Sequence, residues 1–241
     1  MEHGLYFRIM QSTNTPQRQT ARDLVAGVLR DEILTGVLQP GDRLIAPELA
    51  ARFSVSQTPA REAIQALQAE GLVTISSYKN ARVAYLNADE CEEVYLMREA
   101  LEKLAARLGA ANTTDEQLDE MNSYLTEMAE AARSRDIDRF VRADREFHRV
   151  QFAAAGRPRL WERIIGLRLA GERYTRLSYQ ELPQEMDRSI PRHQALLDTL
   201  REHDPERAAE WISNTLGGVP LRMRQLLGEP TGRQSDTGER Q

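Results

Sequence analysis

The chain has 241 residues, of which 41% are hydrophobic and 29% charged, with a net charge of −5; this balance suits helix-rich globular structure, at a length that accommodates two modest domains. No apolar run approaches a membrane span, and the first 20 residues lack the charged-then-apolar layout of a secretion signal. The single cysteine, Cys91, excludes an internal disulfide framework and fits a reducing compartment, so a cytoplasmic protein with no membrane partner is expected. Charge is uneven: residues 1–85 hold nine Lys and Arg against eight Asp and Glu, leaving the acidity to the remainder.

Residues 1–17 carry no usable periodicity and read as a flexible N-terminal tail. From Arg18 to Thr35, Leu24, Val25, Val28, Leu29, Glu32 and Ile33 recur at helical spacing, and Gly36 ends the run. Pro40-Gly41 demands a turn between the apolar anchors Leu38 and Leu44. Pro47–Phe53 supplies a two-turn helix, and Ser54-Val55-Ser56 is a tight connection to an amphipathic helix, giving a helix-turn-helix. Ser56 or Thr58 is placed to cap that second helix, and Pro59 suits its first turn. Ala63, Ile64, Leu67 and the later Leu72 lie on its inward side, while Gln57, Thr58, Arg61 and Gln65 face outward. Hydroxyls, amides and a guanidinium near a helix N-terminus are equipment for phosphates and base edges. Leu72–Ile75 and Ala81–Tyr85 then alternate as two short strands, with Ser76–Asn80 as the hairpin tip of a wing.

These motifs, Gly36-x-Leu38-x-Pro40-Gly41-Asp42-x-Leu44, Glu48-Leu49-Ala50, Val55-Ser56-x-Thr58-Pro59-x-Arg61-Glu62-Ala63 and Glu70-Gly71-Leu72-Val73, resemble the winged-helix half of GntR-family transcription regulators. The resemblance implies a winged-helix DNA-binding domain over residues 18–86 that docks as a dimer on a palindromic operator. It also implies DNA contacts from Ser56, Gln57, Thr58 and Arg61 on the recognition helix and from Lys79 and Arg82 at the wing. Gln57 stands where the family usually has Arg. A glutamine suits adenine where an arginine suits guanine, so an operator unlike the family's common half-site is expected. The wing tip carries Tyr78, Lys79 and Asn80 in place of the usual glycines, and Asn80 tolerates the left-handed backbone a tight turn needs.

Beyond Asn87 the pattern is wholly helical, with helices expected over 88–111, 114–133, 136–155, 157–179, 189–203 and 205–227, an antiparallel bundle over 87–228. Thr114 with Gln117 is a capping box. Val94, Arg98, Leu101, Ala105 and Leu108 form the inward stripe of the first of these helices. Residues 229–241 read as a disordered C-terminal tail. The fold class is thus mainly α: an N-terminal winged helix-turn-helix with a two-stranded wing, then an all-α bundle.

The third bundle helix holds an anomaly. Its apolar stripe runs Ile137, Phe140, Val141, Asp144, Phe147, His148, Gln151 and Phe152, which puts a carboxylate and an imidazole one turn apart among hydrophobic side chains. Burying an unpaired carboxylate is costly, so Asp144 needs a cation or strong donors. His193 shares its face with Leu196, Leu197 and Leu200. Asp144, His148 and His193 suit a divalent metal such as zinc, nickel, manganese or iron. The structural alternative is a satisfied core histidine pair, with Asp144 bound to His148, His193 or a buried Arg.

Arg98-x-x-Leu101-Glu102, Asp144-x-x-x-Phe147-His148, Gly156-x-Pro158-x-Leu160, His193 and the run Ala208–Leu216 resemble the FCD effector domain of the FadR-like branch of the same family. That likeness implies a metal held by one Asp and three His, a small carboxylate effector, and a homodimer. The third histidine of that pattern falls at Thr215 here. Arg98, on the inward stripe of its helix, is positioned to clamp an effector carboxylate or to form a buried ion pair with Asp144 or a Glu. The sequence therefore reads as an effector-responsive, DNA-binding transcription regulator, a repressor by family analogy, and not as an enzyme. The alternatives are a metal-dependent hydrolase built on Asp144, His148 and His193, and a DNA-binding dimer whose bundle has lost its effector.

Overall fold

The Thr20 hydroxyl accepts a hydrogen bond from the Asp23 N–H and so starts helix α1, Ala21–Leu34. The chain is seen here in a computed structural model that describes residues 20–76 and 80–228. It divides into two units, the first ending at Tyr85 and the second beginning at Leu86. The expected tails, 1–17 and 229–241, lie outside the described residues, as do Tyr78 and Lys79 of the wing tip.

In the first unit α1 starts at Ala21 rather than Arg18, and it buries Val25, Ala26, Leu29, Ile33 and Leu34. Leu24, expected inward, is 44% exposed, because it lies about 100° around the helix from the Val25–Leu29–Ile33 stripe. Gly36 takes a φ of +77°, which stops the helix as its position suggested. Helix α2, Ala46–Phe53, ends at Ser54, whose φ of +54° turns the chain into α3, Gln57–Ala69. Ser56 occupies the N-cap position of α3 but its hydroxyl makes no capping bond. Ala60, Ala63, Ile64 and Leu67 are buried beneath α3, and α1 and α2 both pack on it.

The sheet has three strands where two were expected. Strands β2 (Val73–Ile75) and β3 (Ala81–Val83) form the wing hairpin, and β1 (Arg43–Leu44) adds to the far edge of β3, with Arg43 opposite Arg82. A two-residue strand is too short to display alternation, which is why periodicity could not reveal it.

The second unit contains α4 (Ala88–Ala110), α5 (Asp115–Ser134), α6 (Ile137–Ala153), α7 (Pro158–Glu181), α8 (Gln184–Arg201), α9 (Pro205–Leu216) and α10 (Val219–Leu227). Helix starts follow local chemistry. Asn87, Asp136 and Asp204 cap α4, α6 and α9 through their side chains, and Thr114 with Gln117 completes the reciprocal capping box of α5. Two boundaries differ from expectation. Helix α8 begins at Gln184, five positions before Ser189. The expected 205–227 helix is split at Gly217-Gly218, because Pro220 has no N–H to continue the ladder and paired glycines bend cheaply.

Helix α6 packs against α5, and α4 is covered by α7, α9 and α10. Gly109 permits the close approach of α4 to α6, since a Cβ there would sit 3.1 Å from the Gln151 carbonyl oxygen. Phe140, Phe147, Phe152, Met121, Met128, Ile164 and Leu196 are fully buried, each contributing about 1.5–3 kcal/mol of transfer free energy. This core fixes the helix faces that meet at the polar site described next. Among the described residues no helix is long and apolar enough to cross a membrane.

Candidate functional site

Two regions bear chemistry. In the first unit the exposed face of α3 presents Gln57, Thr58, Arg61 and Gln65, preceded by exposed Ser56. Arg61 Nη2 donates to Gln57 Oε1 at 3.1 Å, so the amide and the guanidinium one turn apart form a single unit on that face. Arg82 is half-buried at the centre of β3, where Nη1 donates to the Gly41 carbonyl at 2.6 Å. That bond ties the wing to the Pro40-Gly41 turn. Lys79 lies outside the described residues.

In the second unit Asp144 and His148 of α6 and His193 of α8 come together. Asp144 Oδ1 lies 3.1 Å from His193 Nε2 and 3.7 Å from His148 Nε2, and the two Nε2 atoms are 3.2 Å apart. Both imidazoles are oriented from behind. His193 Nδ1 lies 2.9 Å from the Ser189 carbonyl oxygen, which only accepts, so Nδ1 carries the hydrogen. His148 Nδ1 lies 2.6 Å from Gln151 Oε1 and likewise donates. With both Nδ1 hydrogens committed outward, two nitrogen lone pairs and one carboxylate oxygen converge. Three acceptors facing one another need a positive charge between them.

The triangle fits a divalent ion. Three donors each about 2.0–2.1 Å from a tetrahedral or octahedral centre lie about 2.9–3.4 Å apart, close to the separations here. The edge-on ring of Phe147, 4.9 Å from His193 and 5.3 Å from His148, walls the cluster on its apolar side. Burial, and behind it the Arg168 charge, holds His148 well below its ordinary pKa. Burial opposes ionisation of Asp144, but positive charge at its two oxygens, from the histidine side and from the Arg168 guanidinium, outweighs it, and its carboxyl sits well below the usual range.

Arg168, from α7, was not singled out by the sequence. Its Nη2 donates to Asp144 Oδ2 at 2.9 Å and its Nη1 to Glu102 Oε2 at 3.1 Å. It leaves Oδ1 of Asp144 to the histidines. No motif or spacing marks Arg168, because its meaning comes from a meeting of three helices. Gln151 and Ser189, which orient the rings, sit one turn from the histidines they hold and were in principle legible as helical neighbours.

The cluster opens into a cavity of about 110 Å³. Arg98, Arg145, Arg168, Arg192 and Arg222 line it with Glu102, Asp144, Glu172 and Glu185, an excess of one positive charge. Arg98 is buried. Its Nε donates to Glu102 Oε1 at 2.8 Å, and its guanidinium lies 4.7 Å from the centre of the Tyr95 ring. Of the two roles open to Arg98, the ion pair to a Glu is therefore present, and the side chain also borders the cavity. Thr215 lines the same cavity, half-buried, beside Trp211. Trp211 Nε1 donates to the Arg192 carbonyl at 2.7 Å, and its ring lies 5.4 Å from His193.

Comparison with known proteins identifies the family of both units. The family pattern described as "Bacterial regulatory proteins, gntR family" matches residues 21–83, and that described as "FCD domain" matches residues 93–218, more than half of the chain. A relative from Paenarthrobacter nicotinovorans, named "Probable D-xylose utilization operon transcriptional repressor", is 31% identical over 201 residues, covering 82% of this chain and 88% of that protein. The HTH-type transcriptional repressor RspR of Escherichia coli (strain K12) is 24% identical over 212 residues, covering 88% and 92%. The solved structure of E. coli McbR/YncC superposes with a TM-score of 0.73 at 23% identity, covering 87% of this chain and 98% of that one, and so shares the fold.

Proposed function

The chain belongs to the gntR family of bacterial regulatory proteins, in the branch that carries an FCD domain, and is a DNA-binding transcription regulator rather than an enzyme; from that premise we propose that it is a homodimeric cytoplasmic repressor whose bundle senses a small carboxylate through a bound divalent metal. The hydrolase alternative falls with the family assignment.

The observation that carries this reading is the convergence of three lone pairs, from Asp144, His148 and His193, at a cavity with excess positive charge. Asp144, His148 and His193 would hold zinc, nickel, manganese or iron, and such an ion would supply a Lewis-acidic attachment point for a carboxylate. Arg98 and Arg168 border the cavity as guanidiniums matched to the same group, and Thr215 offers a hydroxyl where a further imidazole would make a closed ligand set. On the DNA side, Ser56, Gln57, Thr58 and Arg61 would meet the major groove, with Lys79 and Arg82 belonging to the wing. Effector binding acts by shifting the population of bundle conformations, and so the operator affinity of the dimer.

The test is fluorescence anisotropy on a duplex selected from random DNA, with divalent metals and a panel of small carboxylates. The expected result is operator binding weakened by one metal–carboxylate combination. Asp144→Ala should abolish that response while the DNA contact remains. A response unchanged in Asp144→Ala and His193→Ala would refute the sensor assignment.

A further inference from the structure

Arg43 is exposed on strand β1, and among the described residues its guanidinium has neither a hydrogen bond nor an ion pair. Across the ladder stands Arg82, whose side chain leaves the sheet on the same side. Like charges directly opposite each other destabilise a strand pair. Arg82 finds an acceptor in the Gly41 carbonyl, while Arg43 reaches none among the described residues. Such a pair is stabilised by an anion laid against it.

Arg43 also lines a groove of about 580 Å³ whose other walls come from the start of α2, from α3 and from the wing hairpin. Arg61 and Gln65 border it on α3, and Asn80 borders it on the wing. Among the described lining residues Arg43 and Arg61 are the only charged ones, so the groove carries two positive charges and no negative one. The start of α2 adds to that field. Ile45 occupies the N-cap position and its side chain accepts no hydrogen bond, so the first N–H groups of this eight-residue helix are left without a cap. A helix N-terminus of that kind favours an anion. Glu48, the acidic residue of the first turn, does not line the groove. Buried Ile64 and half-buried Ile75 give it an apolar floor.

We propose that Arg43, together with the start of α2, binds a backbone phosphate of duplex DNA, on the strand that flanks α3 on its wing side. The assignment rests on the reading of α3 as the helix in the major groove, and it adds an anchor outside both that helix and the wing tip. A helix in the major groove has a phosphate strand along each flank, and the first helix of a helix-turn-helix crosses that backbone. The groove shares Arg61 and Gln65 with the exposed face of α3, so a strand lying in it stays beside the bases that this face meets. The isoleucines suit the C–H faces of deoxyribose, whereas a 2′-hydroxyl laid on them would lose its partners in water. A phosphate contact of this kind carries no sequence information and fixes the register of the head on the duplex.

The experiment is fluorescence anisotropy of the full chain over a salt series, on a duplex selected from random DNA and on a scrambled one. Arg43→Ala should weaken binding to both alike and reduce the slope of log affinity against log salt by about 0.9 for each half-site bound. Arg43→Lys should keep most of that slope, because an ammonium still binds a phosphate as a point charge. A second readout moves a single neutral methylphosphonate linkage along the half-site. At one position it should weaken the wild type and leave Arg43→Ala no weaker than on the unmodified duplex. The melting temperature of Arg43→Ala should not fall, since relief of the opposition to Arg82 acts the other way. A wild-type salt slope in Arg43→Ala, a loss confined to the selected sequence, a loss accompanied by a lower melting temperature, or no linkage that distinguishes the two proteins would overturn the assignment and leave the reading of α3 standing. A wild type that binds neither duplex would overturn both.

Discussion

His148 and His193 face each other Nε2 to Nε2 at 3.2 Å, each with its Nδ1 hydrogen given away, to Gln151 and to Ser189 respectively. Two lone pairs at that distance repel unless a cation lies between them. The purified protein is therefore expected to carry about one divalent metal ion per chain by mass spectrometry after mild purification. Adding the ion to chelator-treated protein at about 100 times its dissociation constant should stabilise the fold by about 2.7 kcal/mol. His193→Ala should lose that stabilisation. A chelator-treated protein that no divalent metal stabilises would show that a shared proton fills the gap.

Arg168 neutralises Asp144 and Glu102 at once, with side chains only 12%, 20% and 1% exposed. Replacing it by Leu leaves the buried carboxylate of Glu102 and the part-buried one of Asp144 short of a donor, and removing one partner of a buried pair costs about 3–5 kcal/mol. Urea unfolding of Arg168→Leu should show that loss. Arg168→Lys should recover part of it, because an ammonium reaches one carboxylate and not both. A cost below about 1 kcal/mol would mean that Arg98 alone can satisfy Glu102.

On the proposed DNA-binding face, substitutions at Gln57 and Arg61 should separate base reading from phosphate anchoring. Gln57→Arg should move the selected half-site toward guanine at one position, since a guanidinium reads guanine where an amide reads adenine. Arg61→Ala should weaken binding to all sequences alike and reduce the salt slope by about one if its contact is a phosphate. Selection from random duplex and binding titrations at several salt concentrations distinguish the two outcomes.

Ser54 holds φ at +54°, a left-handed conformation costing a non-glycine residue about 1–2 kcal/mol. Its N–H bonds to the carbonyls of Ala50 and Ala51 close α2, so the conformation is imposed by the turn of the helix-turn-helix. Ser54→Gly should raise the stability of the first unit by about 0.5–1 kcal/mol, and Ser54→Val should lower it by more. Thermal unfolding of the full chain, followed by a probe in that unit, measures both.

Cys91 is wholly buried in α4, and burial pushes its thiol up to about 12. At neutral pH it should resist alkylation in the native protein and react only as the second unit opens. Labelling with iodoacetamide across a urea series should then track unfolding. Prompt labelling in native buffer would mean that α4 opens locally.

Much of the protein was legible from local pattern. The helix-turn-helix, the capping box at Thr114 and Gln117, the wholly helical second unit and the placing of Asp144 and His148 on the buried side of one helix all follow from periodicity and from chemistry at helix ends. Each of those signals spans a few residues, so the chain need not be folded for them to be read. Where local signals were weak or overlapped, the outcome differed: Leu24 turned out to be exposed, β1 joined the sheet, and the last helix broke at Gly217.

The tertiary structure alone decided what Asp144, His148 and His193 amount to. That His193 meets His148 depends on how α8 crosses α6, 45 positions apart in the chain. Arg168 reaches Asp144 and Glu102 across separations of 24 and 66. Side-chain spacing sets which face of a helix a residue occupies, whereas packing against neighbouring helices sets which face it meets. The residues of the site are inscribed locally; their convergence, and the guanidinium that balances it, belong to the packed bundle.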